Sequence, residues 1–243
     1  MTSNAFSDPR PVLCAAIVST VATGLLLPFA VKDYRRWRGL GEGGLPANPL
    51  GYALTTAARI AMREACSSRP YSRLESEPVN LALLPNLPNR RGPRPRTNPD
   101  PIPQRQLDQV CPDLAIETRK IFDAAAASRS WVDWRRSGFE NHHDALTALT
   151  PRTHIDTTRR TRGEIAHIHP SDGSMHMVFS GRDAAQILDK GWGERHGLAG
   201  RGPLPITYLL IYAPRSADEL RVVAILLDAS LAYMGQVATE HQS

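Results

Sequence analysis

Between Glu164 and Ser180 the chain has little choice of conformation. Two stretches of alternating side chains flank Pro170-Ser171-Asp172-Gly173, a four-residue turn composition with glycine last. Strands over Glu164 to His169 and Ser174 to Ser180 then form a hairpin in which His169 faces Ser174, His167 faces His176 and Ile165 faces Val178. Side chains alternate between faces, so His167, His169 and His176 share one face, with opposed residues about 5 Å apart and diagonal ones about 7 Å apart. Ala166, Ile168, Met175, Met177 and Phe179 share the other, which predicts a core on one face and a histidine cluster on the other. Glu164 has core-facing parity and joins the cluster only through a bulge or a place at the sheet rim.

Three converging neutral imidazoles suit zinc, iron or another borderline metal, with positions left open for water or substrate. Without a metal, one histidine serves as general base while the others orient it or donate to a developing oxyanion. A hydrogen-bonded surface without chemistry accommodates the same residues. Arg159, Arg160 and Arg162 precede the hairpin and either clamp an enolate or carboxylate or stand solvated. The loop Gly191-Trp192-Gly193-Glu194-Arg195-His196 sets an aromatic ring, an ion-pairing couple and a fourth histidine around two glycines, a composition for a pocket wall. The glycines of this region fit neither the P-loop nor the dinucleotide spacing, and no G-x-S-x-G elbow occurs.

After the hairpin, Ser180 and Asp183 predict a capped helix over Arg182 to Lys190, closed by Gly191. Ile206 to Tyr212 reads as a buried strand, and Ser216 with Glu219 caps a last helix ending near Met234. The order β-β-α-β-α defines a small C-terminal α+β domain over residues 151–243. Residues 39–150 form a helical and proline-rich middle, with helices over Tyr52 to Cys66 and Pro112 to Ser128. The segment Pro85 to Pro103 holds seven prolines and four arginines and reads as an extended strap. The Trp131/Trp134 stretch has no assignable form.

Residues 1–38 predict a membrane anchor. Val12 to Val31 is 20 residues without a charge, enough to span about 30 Å of hydrocarbon as a helix. Lys32, Arg35, Arg36 and Arg38 follow it, which predicts a single-pass transmembrane helix with the C-terminal bulk in the cytosol. Residues 32–105 carry 13 basic against 6 acidic groups, a local positive charge that suits anionic membrane lipid. No nucleic-acid module accompanies it, so no nucleic-acid partner is expected. Cys14, Cys66 and Cys111 fit neither a disulfide framework nor a metal knuckle.

From Asp156 onward the residues resemble the fungal luciferase family. The likeness is carried by Arg159-Arg160-Thr161-Arg162 through Glu164 to His169, by Asp172 to His176, by Lys190 to His196, and by Tyr212-Ala213-Pro214-Arg215. It extends to Asp33-Tyr34, Gly51-Tyr52, the Arg90 to Arg96 strap and Gln104-Arg105-Gln106. The resemblance implies a membrane-associated oxygenase that oxidises 3-hydroxyhispidin or a related hydroxypyrone with molecular oxygen as co-substrate and no added cofactor. A base removes the enol proton, an endoperoxide forms, and loss of carbon dioxide leaves an excited product that emits light. On that reading His167, His169, His176 and Glu164 are catalytic, with His176 or His167 as base. Arg162, Trp192, Arg195, His196 and Tyr212 bind substrate, and Trp192, Tyr212 and Phe179 exclude water. The alternatives are a metalloenzyme holding its ion on His167, His169 and His176, or a non-catalytic membrane-tethered binding protein that uses the strap.

Overall fold

The structure is a computed structural model that describes residues 27–74, 81–149 and 155–236. The chain divides into two units, one ending at Leu40 and one beginning at Gly41. In the first, residues 27–38 are helical (α1). Asp33 pairs with Arg36 one turn on at 2.7 Å, and Tyr34 stacks on Trp37.

Two expectations are corrected here, the transmembrane helix and the single-pass membrane placement with its cytosolic orientation. Among the described residues, no helix is long and apolar enough to cross a membrane. Residues 12–26 of the expected span lie outside the described residues. The part that α1 does contain, residues 27–31, runs directly into Lys32, Asp33, Arg35, Arg36 and Arg38. A charged residue at nearly every second position makes that helix too polar for hydrocarbon.

The second unit is built on one antiparallel sheet. Its elements are α2 (Pro49–Arg59), α3 (Pro112–Ala127), β1 (Val132–Arg136), β2 (Asp144–Ala148), α4 (Ile155–Thr161), β3 (Glu164–Ile168), β4 (Met175–Val178), α5 (Gly181–Asp189), β5 (Gly193–Arg195), β6 (Tyr208–Ile211) and α6 (Ala217–Met234). The strand order is β1-β2-β3-β4-β6-β5. The β3-β4 hairpin has the register its sequence predicts, with His167 opposite His176 and a 2.8 Å bond from the His169 amide to the Ser174 carbonyl. The expected three-strand C-terminal sheet is half of the real one. The unassigned stretch after Trp131 supplies the β1-β2 hairpin, and the glycine loop supplies β5.

One face of the sheet packs beneath α3 and α6. Met175, Met177, Ala166 and Ile211 meet Phe122, Leu226 and Leu227 there, all essentially buried. Each of the larger of these side chains contributes about 1.5–3 kcal/mol. Local signals start these helices. Ser180 Oγ accepts from the Asp183 amide, Ser216 Oγ from the Glu219 amide and Asn48 Oδ1 from the Gly51 amide, while Pro49 and Pro112 occupy first-turn positions that need no donor. The second helix ends at Arg59, short of the expected Cys66, and a 3-10 turn follows at Arg69–Leu74.

The proline-rich strap has no helix or strand and is nonetheless fixed. Its amides and side chains reach groups on the sheet unit. Leu83 and Leu84 amides donate to Asp183, Arg94 to the Gly193 carbonyl, and Arg90 to the Ala213 carbonyl and Glu219. Asn98 closes the strap on itself, donating to the Pro103 carbonyl and accepting from the Arg105 amide. Prolines remove donors that would otherwise be left unpaired, and these bonds hold much of what remains in place.

Candidate functional site

The sheet face opposite α3 and α6 carries the histidines. Two features of the strands aim them. Alternation along β3 and β4 places His167, His169 and His176 together, with ring centroids 4.8–5.2 Å apart. A register shift between Leu146 and Thr147 of β2 then moves Glu164 opposite Thr147, whereas Ala166 faces Leu146. This irregularity is the bulge that Glu164 required. It brings Glu164 Oε1 to 2.7 Å from His167 Nδ1, and the same carboxylate accepts from Ser137 Oγ and the Gly138 amide.

Each ring is held by its Nδ1. That of His167 donates to the Glu164 carboxylate, and that of His176 donates to the Leu209 carbonyl at 3.2 Å. His169 Nδ1 bonds Ser174 Oγ at 2.8 Å. The acceptors on His167 and His176 fix their tautomers and leave the Nε2 lone pairs free. His167 Nε2 and His169 Nε2 are buried and have no hydrogen-bond partner. Beside them stands Glu140, whose carboxylate is gripped by both terminal nitrogens of Arg105 at 2.8 and 2.9 Å. Its Oε1 lies 3.6 Å from His169 Nε2. One ligating atom each from Glu140, His167, His169 and His176 lies within 4.8 Å of the other three, a donor set able to hold a metal ion.

Burial disfavours the charged form of the rings at His169, His176 and His196. Burial pushes the His176 and His169 pKa values well below that of free imidazole, reinforced by His167 on the first and by Arg105 on the second. Burial lowers His196 to about 4. For Glu140 burial works upward, but His167 and the bonded Arg105 outweigh it and hold the group below the usual carboxylate range. The result is that His169 and His176 stand as neutral imidazoles next to the Glu140 carboxylate at neutral pH.

A cavity of about 470 Å³ opens onto this cluster, within the usual range of about 300–1,000 Å³ for small-molecule sites. Glu140, His176, His196 and Tyr208 line its polar end; Phe139, Ile102, Leu198 and Leu204 line its apolar walls. The Tyr208 ring stacks on His176 at 4.7 Å. His196 is fully engaged, since its Nδ1 accepts from the Leu198 amide and the ring also bonds the Pro101 backbone, so it acts as wall and donor rather than free base.

The other residues expected at the site stand elsewhere. Arg162 is exposed, at a left-handed φ of 55°, and does not line the cavity. Trp192 donates to the Pro88 carbonyl, Arg195 holds the Ser67 and Glu64 carbonyls, and Tyr212 donates to Glu194, so all three anchor the strap and its neighbours. Phe179 is core. Conversely, Glu140, Arg105 and Tyr208 belong to the site without having been singled out for it. Tyr208 was within reach of sequence reasoning, because it shares parity with Leu210, which faces His176. Glu140 and Arg105 come from loops 27 and 62 residues before His167, with no local pattern to flag them.

An antiparallel sheet carrying an imidazole and carboxylate cluster beside an apolar cavity has the arrangement of a small-molecule site. The luciferase domain family model matches residues 162–230, which spans the hairpin, β5, β6 and most of α6. A luciferase of Armillaria gallica is 35% identical over 241 residues, covering 93% of this chain and 89% of its own. A luciferase of Armillaria mellea is 36% identical over 240 residues (92% and 87%), and one of Neonothopanus nambi 33% over 242 (92% and 86%). The chain belongs to the fungal luciferase family. No solved structure matches it.

Proposed function

We propose that this luciferase-like protein oxidises 3-hydroxyhispidin or a closely related hydroxypyrone with molecular oxygen, releasing carbon dioxide and light. The observation that carries this reading is the apolar cavity ending on Glu140, His176 and Tyr208. A flat conjugated pyrone needs apolar walls, and its enol needs a proton acceptor at one end. His176 supplies that acceptor, because Leu209 occupies its Nδ1 and the Nε2 lone pair remains. Burial that keeps the ring neutral keeps this lone pair available at neutral pH. Once the enol proton has moved, oxygen adds across the electron-rich ring as an endoperoxide, and loss of carbon dioxide leaves the open-chain product in its excited state. Walls of Phe139, Ile102, Leu198 and Leu204 keep water from that product. The cavity against the histidine face also weighs against a purely structural role for the cluster.

The test mixes the full chain with 3-hydroxyhispidin in air and follows emission and oxygen uptake together. One oxygen consumed per substrate is expected, with His176→Ala lowering turnover by about 100-fold or more while its circular dichroism is unchanged. A folded wild-type chain that consumes no oxygen refutes the reading, and wild-type turnover from His176→Ala removes the role given to that residue.

A further inference from the structure

The buried orphan atoms at the cluster need an explanation that a free base does not give. One acceptor at the cavity suffices to take an enol proton, yet His167 and His169 lie behind His176 and are wholly buried, and their Nε2 atoms have no hydrogen-bond partner. A buried polar atom without a partner is destabilising, and here there are two, grouped with a carboxylate beside them.

We propose that Glu140, His167, His169 and His176 form a mononuclear site for a first-row divalent transition metal ion. The donor set is three imidazoles and one carboxylate, a borderline set that suits iron, manganese, cobalt, nickel or zinc. Donors on opposite sides of such an ion stand about 4.2 Å apart, so the four atoms, all within 4.8 Å of one another, close on it with small shifts of side chains. The outer contacts are those of a metal site. Glu164, Ser174 and the Leu209 carbonyl each hold one ring by Nδ1, which orients Nε2 inward, and Arg105 holds the Glu140 carboxylate in place through both its oxygens. Glu140 and His176 border the cavity while His167 and His169 do not, so the open coordination side faces the cavity.

That side is where a hydroxypyrone would bind, and here the inference rests on the preceding reading of the substrate. The vicinal enol and carbonyl oxygens chelate the ion: the enol O–H bond breaks, its proton leaves to solvent, and the oxygen–metal bond forms. The ion thereby takes over the work assigned to a free His176. Arg105 and the ion together outweigh the charge of Glu140 and Glu164, so the site attracts an anionic enolate over a neutral pyrone.

The experiment strips the full chain with a chelator and titrates it with Co²⁺, following the visible ligand-field bands and the melting temperature, then repeats the titration with Fe²⁺ and Zn²⁺. One equivalent bound, with a raised melting temperature, is expected. Glu140→Gln and His169→Ala should lose binding, and Ser174→Ala, which touches no ligand atom, should weaken it by about 10–100-fold. A folded wild-type chain that binds none of these ions at millimolar concentration overturns the proposal, as does unchanged affinity in Glu140→Gln. Oxidation of 3-hydroxyhispidin at full rate by the stripped chain also overturns it and leaves the substrate reading intact. Tight binding by a chain that oxidises no hydroxypyrone supports the site and sinks the substrate reading instead.

Discussion

Arg105 governs the charge of the cluster from outside the ring of histidines. Its guanidinium is nearly inaccessible and holds Glu140 through two parallel bonds, with the Glu42 and Gln104 carbonyls taking further donors. Planar, permanently charged and five-donor, it fits this position as lysine would not. Removing one partner of such a pair leaves a bare charge in a dry place. Arg105→Ala is therefore expected to cost about 3–5 kcal/mol in urea unfolding, and pairing it with Glu140→Gln should recover part of that loss. A double variant as unstable as the single one would show that the carbonyl contacts, rather than the ion pair, carry the stability.

At the scale of elements, the decisive feature is the junction of α4 and β3. Gly163 sits there at φ 82°, its amide on the Thr158 carbonyl and its own carbonyl accepting from Ala148. A Cβ at this residue would approach the Ala148 oxygen to 3.0 Å. Gly163→Ala thus meets a crowded carbonyl as well as left-handed strain of about 1–2 kcal/mol. The expected outcome is a lower melting point together with loss of the Glu164–His167 bond, visible as a mixed His167 tautomer by nitrogen NMR. The same junction explains what could be read in advance. The β3-β4 hairpin and its face assignment were legible because turn chemistry and two-residue alternation are local. The capped starts of α5 and α6 were legible for the same reason. Sequence alternation alone assigns Glu164 to the core, and only pairing with β2, a strand with no recognisable pattern of its own, reverses that. The β1 edge strand, with Asp133, Arg135 and Arg136 turned outward, offers no continuous apolar signal. Arg105 and Glu140 reach the histidines through tertiary contacts that no window of sequence contains.

For the molecule as a whole, burying histidines in neutral form sets the response to acid. His169 and His176 titrate well below free imidazole and His196 at about 4. The unfolded chain therefore binds more protons than the folded one below about pH 6.5. Stability is fully present above that value and falls as pH drops toward the folded pKa values, by up to about 1.4 kcal/mol per pH unit for each ring. Asp172, Asp183 and Glu194, raised by burial, work in the opposite direction nearer their own range. Urea midpoints are expected to decline from pH 7 to pH 5; a flat profile would mean the rings are already charged in the native state. Assembly order follows from the strap. Residues Pro101 to Gln104 line the cavity, held by Thr55 at the Ile102 carbonyl and by the bond from Gln104 to Glu194, 90 residues downstream. A nascent polypeptide emerging from the ribosome consequently cannot complete that side of the cavity until β5, which carries Glu194, has been synthesised.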